Sequence, residues 1–148
     1  MSPYADTRVK LNKKAKGDIA ELKVAADLRS RGYKLAFPYG EDLDFDLILC
    51  RHDGTLDHVQ VKYARSDGRV ITVRARSHSL TNGKVKATKL YTASMIEWLA
   101  VWEPSLDRCF YIPAAELGAG MTMMHLRLVP TLNKQVRRIR VAEEYTVI

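Results

Sequence analysis

The chain has 148 residues, and its 47% apolar and 28% charged residues are typical of a folded protein of one domain, not of a disordered one. No apolar stretch has the form of a signal peptide or the length of a membrane span, so we expect a cytoplasmic protein without a membrane partner. The formal net charge of +7 favours nucleic acid as a partner, although such a charge can also serve solubility alone.

A long amphipathic helix is the first predicted element. Apolar residues recur at helical spacing from Lys13 to Arg31, and Gly32 is a typical C-terminal stop. The predicted inward stripe consists of Ile19, Leu22, Ala25, Ala26 and Leu28. Glu21 lies on or beside this stripe, so the helix is predicted to carry an inward carboxylate.

A buried acid is predicted in the second strand of the chain. The pattern predicts a short strand from Tyr33 to Phe37 and then a buried strand from Phe45 to Leu49, which contains Asp46. An unpaired buried carboxylate is costly, so Asp46 should be matched by a cation or a metal ion. An ion pair between Asp46 and Lys62 without catalysis is the structural alternative.

The next segment predicts a hairpin with two polar groups on one face. Asp53-Gly54 is a strong turn signal, and polar and apolar residues alternate from His58 to Tyr63. Gln60 and Lys62 therefore share one face of a strand. Whether Asp46 lies opposite Gln60 is open, because a slip of one residue turns a strand over.

A basic region follows the hairpin. Arg69 to Arg76 is predicted to be one strand with a basic exposed face, and Ser77 to Lys89 a polar loop with the composition of a phosphate-tracking segment. A solvated surface loop is the alternative. The predicted DNA-binding residues are Arg74, Arg76, Lys84 and Lys86.

The rest of the sequence predicts core strands and a basic tail. No internal repeat or linker divides the chain, so we predict a flexible segment, residues 1–12, and a single domain, residues 13–148. Cys50 and Cys109 lack zinc-site spacing and are expected to be buried thiols. The predicted elements are a helical piece from Thr92 to Ile96, strands from Trp98 to Trp102 and through Phe110 to Ile112, a helix from Pro113 to Gly118, a strand from Met124 to Val129, and a helical or strand-like tail from Lys134 to Ala142.

The polar groups at the hairpin suit metal-dependent hydrolysis of a phosphodiester. Divalent ions activate water, align it and neutralise charge in the transition state. The Asp46 carboxylate, the Gln60 side-chain oxygen and the Val61 backbone carbonyl would form an open oxygen site of the kind that magnesium prefers. Lys62 could orient or deprotonate the attacking water. Alternation of polar and apolar residues is nevertheless common in any half-buried sheet.

Three segments together resemble the PD-(D/E)XK nuclease core: Lys16 to Glu21, Phe45 to Ile48 and Val59 to Tyr63. The resemblance extends over nearly all of the chain after the first dozen residues and is most similar to the group I intron homing endonucleases of bacterial type. That branch uses Gln where most of the superfamily has Asp or Glu, which suits Gln60, while Phe45 replaces the usual proline. The resemblance implies an α/β restriction-endonuclease-like fold with a central mixed sheet flanked by helices.

The same resemblance implies a metal-dependent, site-specific endonuclease of double-stranded DNA. It implies that Glu21 and Asp46 help hold Mg²⁺, for which Mn²⁺ would substitute. Gln60 would be a metal ligand or a positioning residue, and Lys62 would act on the attacking water. Family members assemble as oligomers, so a homodimer or homotetramer is expected. The alternatives are a Holliday-junction resolvase or a repair or restriction nuclease of the same fold, and a catalytically inactive DNA-binding module.

Overall fold

The computed structural model describes residues 9–148, except for the side chains of residues 79–81 and 86. The predicted flexible segment, residues 1–12, thus falls mostly outside the described residues. No described helix is long and apolar enough to cross a membrane. The elements are α1 (Lys13–Ser30), β1 (Lys34–Ala36), β2 (Leu47–Cys50), β3 (Leu56–Tyr63), β4 (Val70–Arg74), β5 (Arg76–Thr81), β6 (Lys84–Leu90), β7 (Trp98–Glu103), β8 (Arg108–Pro113), β9 (Met123–Arg127), β10 (Arg140–Val141), and two 3-10 helices (Ala114–Leu117 and Ala142–Tyr145).

A mixed five-stranded sheet forms the centre of the fold, in the order β1-β2-β3-β7-β8. Only β3 and β7 are parallel, and the other neighbours are antiparallel. Helix α1 packs on one face of this sheet, and a second sheet, β10-β9-β4, packs on the other. The predicted α/β class is confirmed, with the difference that among the described residues a sheet, and not a second α-helix, covers the far face.

Helix α1 begins at a side-chain cap and buries one narrow stripe. The Asn12 side-chain oxygen accepts a hydrogen bond from the backbone N–H of Ala15 at 2.8 Å, which satisfies one free donor of the first turn. The buried stripe consists of Ala20, Val24 and Leu28, whereas Leu22 is 68% exposed. The predicted stripe was therefore wrong at Leu22 and at Ala26, which is also exposed, because several small apolar residues around this helix left its inward face ambiguous.

The face of the sheet opposite α1 carries the second core. Leu99 and Val101 of β7 pack with Ile71 of β4 and with Met124 and Leu126 of β9, and all five are buried. Strand β7 is central and paired on both sides, which explains why its sequence is a continuous apolar run. The predicted strand from Trp98 to Trp102 is confirmed, with one further residue.

Strands β5 and β6 form a separate two-stranded antiparallel sheet, called the ribbon below. The prediction of a loop from Ser77 to Lys89 was therefore wrong. Asn82 and Gly83 connect the strands with φ of 53° and 75°, as the tight turns that suit hairpins require. The predicted single strand from Arg69 to Arg76 is divided at Ala75, so that the ribbon leaves the second sheet there.

Several shorter predictions also need correction. Thr92 to Ile96 forms a turn and not a helix, the helix after Pro113 is a short 3-10 helix, and most of the segment from Lys134 to Ala142 consists of turns and coil. Cys50 and Cys109 are free thiols that are half-buried, not fully buried. Burial raises the pKa of the Cys109 thiol to about 12, so this sulfur stays protonated and unreactive at neutral pH.

Candidate active site

The candidate site lies where β2 and β3 separate. Leu47 and Val59 are the last paired residues of the two strands on this side, and the backbone N–H of Asp46 donates to the Val59 carbonyl at 2.8 Å. The same register places Asp46 opposite Gln60, which the sequence left open. Beyond this point β3 continues beside β7 alone, so the backbone of Val61 on the β2 side is free to meet side chains.

Asp46, Gln60 and Val61 meet at this separation. One carboxylate oxygen of Asp46 accepts from the Val61 N–H and from the Gln60 side-chain nitrogen, both at 2.8 Å. The same nitrogen lies 3.3 Å from the Val61 carbonyl oxygen. The N–H and C=O of one strand residue point to the same side, so the Val61 carbonyl also faces the site. Rotating the Gln60 amide by half a turn would present its oxygen at the same place.

Glu21 faces the same cleft from α1. The cleft has a volume of about 430 Å³ and is lined by Lys14, Asp18, Glu21, Phe37, Pro38, Gly40, Glu41, Leu43, Phe45 and Asp46. Burial and the nearby charge of Asp46 raise the pKa of Glu21 to about 7. Burial also raises the pKa of Asp46, against the opposing effects of the Val61 N–H and of Lys62. Each carboxylate thus lacks full compensation for its charge.

Lys62 lies beside this group without pairing directly with Asp46. Its side-chain nitrogen donates to the backbone carbonyl of Arg76 at 2.9 Å and lies 5.1 Å from the centre of the Tyr91 ring. Burial lowers the pKa of Lys62, and the charge of Arg74 lowers it further, whereas Asp46 raises it. Since the amine donates elsewhere, the described contacts do not support an Asp46 to Lys62 ion pair as the sole role of these residues.

Comparison with known proteins places the sequence in a family. From residue 11 to residue 148 the sequence matches the family described as PD-(D/E)XK endonuclease. The chain belongs to this family. It is also similar to a solved structure of a bacterial homing endonuclease, I-Ssp6803I, with a TM-score of 0.70 and 21% identity over 91% of this chain and 88% of that chain. No curated protein matches the sequence.

Membership of a PD-(D/E)XK endonuclease family makes the chain a nuclease with DNA as its substrate, and nucleases of this family generally use divalent metal ions. The likeness to I-Ssp6803I shows a shared fold. In the described part of the nuclease, no three His, Cys, Asp or Glu side chains converge as a metal site. Any ligand set at the cleft therefore needs backbone or amide oxygens besides carboxylates.

Glu103 provides a comparison, because it is a fully buried acid whose charge is compensated by hydrogen bonds. Glu103 is 0% exposed and accepts from the backbone N–H groups of Ser66 and Leu106 and from the Ser105 hydroxyl. Burial raises the pKa of Glu103, but these hydrogen bonds outweigh it and lower the pKa overall. Glu21 has no such donor among the described hydrogen bonds. The donor oxygens and uncompensated charge around Asp46 fit a divalent cation.

The predicted DNA-binding residues lie on and around the ribbon. Arg74 is exposed at the end of β4, and Lys84 is exposed next to the ribbon turn. Arg76 was predicted to be exposed, but it is half-buried, and its Nε is buried without a hydrogen-bond partner in the described structure. The side chain of Lys86 lies outside the described residues. Tyr91 was not predicted, because no sequence pattern connects it with Lys62.

Proposed function

We propose that this chain is a magnesium-dependent, site-specific endonuclease of double-stranded DNA that acts as a homing-type enzyme. The observation that carries the proposal is the meeting of Asp46, Gln60 and the Val61 backbone at the separation of β2 and β3. Lys62 lies next to them, and Glu21 faces them across the cleft. Carboxylate, amide and carbonyl oxygens are the ligands that Mg²⁺ prefers, and Mn²⁺ accepts the same set.

Each residue has a role that follows from its surroundings. Asp46 and Glu21 would hold the cation together with the Val61 carbonyl, and Gln60 would ligate it or orient the Asp46 carboxylate. When bound, a divalent ion activates water and offsets charge on the scissile phosphate. The lowered pKa of Lys62 suits an amine that accepts a proton from the attacking water or offsets phosphate charge.

The ribbon supports recognition of duplex DNA. Its strands have six and seven residues, which corresponds to a length of about 20 Å at the usual rise. The major groove of B-DNA admits a two-stranded ribbon of this kind, where base edges can be read. Exposed Lys84 and Arg74 would contact phosphates.

Cutting both strands of a duplex requires two active sites. One chain offers one such cleft among its described residues, so we propose that the enzyme acts as a homodimer or a homotetramer. The likeness to a bacterial homing endonuclease, I-Ssp6803I, supports the homing type over other nucleases of this fold. A cytoplasmic location stays a prediction.

The test is cleavage of a randomised duplex pool and of a four-way junction in Mg²⁺, Mn²⁺ or chelator. We expect wild type to cut the duplex pool at few sequences and only with metal present. Asp46→Asn should lower the cleavage rate by more than the roughly 100-fold loss that outer-shell changes at metal sites cause, while DNA binding in chelator persists. The measurement is sequencing of the cut ends together with single-turnover rates.

A matched control keeps the result specific. Asp53→Asn makes the same change at the exposed turn between β2 and β3, where Asp53 accepts hydrogen bonds from Thr55, and should cut like wild type. Selective cutting of the four-way junction would contradict the homing-type proposal and indicate a Holliday-junction resolvase. Tight binding without cutting under either metal would contradict the enzyme proposal and favour a binding module.

A further inference from the structure

The two groups that contact the Lys62 amine both come from the base of the ribbon, the end at which Arg76 pairs with Leu90. The first residue of β5, Arg76, supplies the backbone carbonyl that accepts from this amine at 2.9 Å. Tyr91, which directly follows β6, supplies the ring whose centre lies 5.1 Å from the same nitrogen. Arg76 and Leu90 are paired, so the carbonyl and the ring stand on the two ends of one hairpin.

The Tyr91 ring is fixed by its surroundings. Tyr91 is 4% exposed and belongs to the core cluster under the second sheet. Its backbone N–H donates to the carbonyl of Ala75 at 3.2 Å, which ties the end of β6 to the point where β4 passes into β5. A buried ring held at its backbone offers a constant surface to a cation above it.

The ribbon also contacts the other half of the active site. The Lys89 ammonium, two residues before Tyr91, pairs with the Asp44 carboxylate at 2.5 Å. Asp44 lies two residues before Asp46 on the loop that leads into β2. The base of the ribbon thus touches both the lysine and the segment that carries the catalytic carboxylate.

We propose that Tyr91 is a positioning residue whose ring, together with the Arg76 carbonyl, holds the Lys62 amine next to Asp46. This role rests on the proposed function and deepens it, since the ribbon that binds DNA also sets the place of the catalytic amine. Tyr91 touches neither DNA nor metal in this scheme. It acts through Lys62, by means of its ring and not its hydroxyl group.

Two substitutions distinguish the role of the Tyr91 ring from that of its hydroxyl group. Tyr91→Phe keeps the ring and should cut within about threefold of wild type. Tyr91→Leu removes the ring and should lower kcat by about 10- to 30-fold, the scale of a desolvated cation–π contact, while Kd for DNA stays unchanged. The measurement is single-turnover cleavage of the cognate duplex together with DNA binding in chelator.

The matched control is Tyr145→Leu. Tyr145 is 8% exposed and belongs to the same core cluster, but its hydroxyl donates to Glu116 and not to the active site. Its loss should destabilise the fold without lowering kcat at a temperature where all variants are folded. If Tyr145→Leu lowers kcat as much as Tyr91→Leu, or if Tyr91→Phe loses as much as Tyr91→Leu, the positioning role is overturned.

A spectroscopic measurement tests the contact without cleavage. The ε-methylene protons of Lys62 should be shifted upfield by the ring current of Tyr91 in wild type and in Tyr91→Phe, and this shift should vanish in Tyr91→Leu. Lys62→Arg assigns the resonance. A wild type that cuts no DNA overturns the proposed function, whereas a Lys62 resonance that Tyr91→Leu does not move overturns the positioning role.

Discussion

The ionised side chains of Glu21 and Asp46 lower the free energy of unfolding of the metal-free protein, because both carboxylates are partly desolvated. Desolvation and mutual repulsion raise the pKa of Glu21 from 4.5 to about 7. At pH values between these two, the unfolded chain loses this proton while the folded chain keeps it, so the free energy of unfolding falls as the pH rises. A bound cation would remove that penalty, which is the usual exchange of stability for function at active sites.

Glu21→Gln should therefore stabilise the metal-free protein and impair the enzyme. Glutamine does not ionise, so the gain in Tm over wild type should be larger at pH 8 than at pH 4 in chelator. Added Mg²⁺ should raise the Tm of wild type more than that of Glu21→Gln, because a ligand that binds only the folded state stabilises it. Calorimetry at the two pH values, with and without Mg²⁺, provides the measurement.

The control is Glu144→Gln, at an exposed glutamate of the C-terminal 3-10 helix. It should shift Tm equally at pH 4 and pH 8. If Glu21→Gln also shifts Tm equally at the two pH values, the proposed cost of desolvation and of repulsion between Glu21 and Asp46 is contradicted.

Among the elements, the ribbon differs most from its predicted form. A strand in a core sheet shows alternation because one face is buried, but the ribbon pairs only with itself within the described structure. Exposed polar residues such as His78 and Lys84 therefore give its sequence the composition of a loop. The Asn82-Gly83 turn was the local signal for a hairpin, and it was outweighed by that composition.

Lys84→Ala tests the ribbon as a DNA-binding element. If Lys84 neutralises one phosphate, its removal should weaken binding to all sequences about equally and reduce the slope of log K against log salt by about 1. The cleavage rate of fully bound DNA should stay close to that of wild type. Binding titrations at several salt concentrations, with cognate and random duplexes, provide the measurement.

Lys34→Ala is the matched control, since Lys34 is an exposed lysine of β1, outside the ribbon. It should leave the salt slope unchanged. A slope that Lys84→Ala leaves at the wild-type value would mean that the tip of the ribbon does not contact phosphates.

In the whole molecule, each face of the central sheet packs against a different partner: α1 covers one face, and the second sheet covers the other. Val59 and Val61 pack toward α1, and their alternate neighbours, Gln60 and Lys62, face the side of the second sheet. This alternation turns Lys62 toward the base of the ribbon, where Arg76 lies. The proposed catalytic groups and the proposed DNA-binding groups therefore lie close together at this end of β3.

The proposed assembly predicts a defined result when active and inactive chains are mixed. Wild type co-refolded with an excess of Asp46→Asn should form mixed oligomers with one active cleft per duplex site, so nicked circular plasmid should accumulate in place of linear product. The measurement is gel analysis of plasmid cleavage against the mixing ratio. Unmixed Asp46→Asn is the control and should nick nothing, and linear product in unchanged proportion would contradict the assembly.

Asp46, which was predicted to lie buried within a strand, is half-buried and directly precedes β2. The sequence by itself determined the alternation of β3, the half-buried position of Glu21, and the apolar run of β7. These properties are local, since strand and helix periodicity decides which side chains share a face. The inward stripe of α1 at Leu22, the ribbon, and the contacts of Arg76 and Tyr91 with Lys62 were decided only by the tertiary structure. Such contacts join residues far apart in the chain, and their geometry depends on strand register and packing, which no local pattern determines.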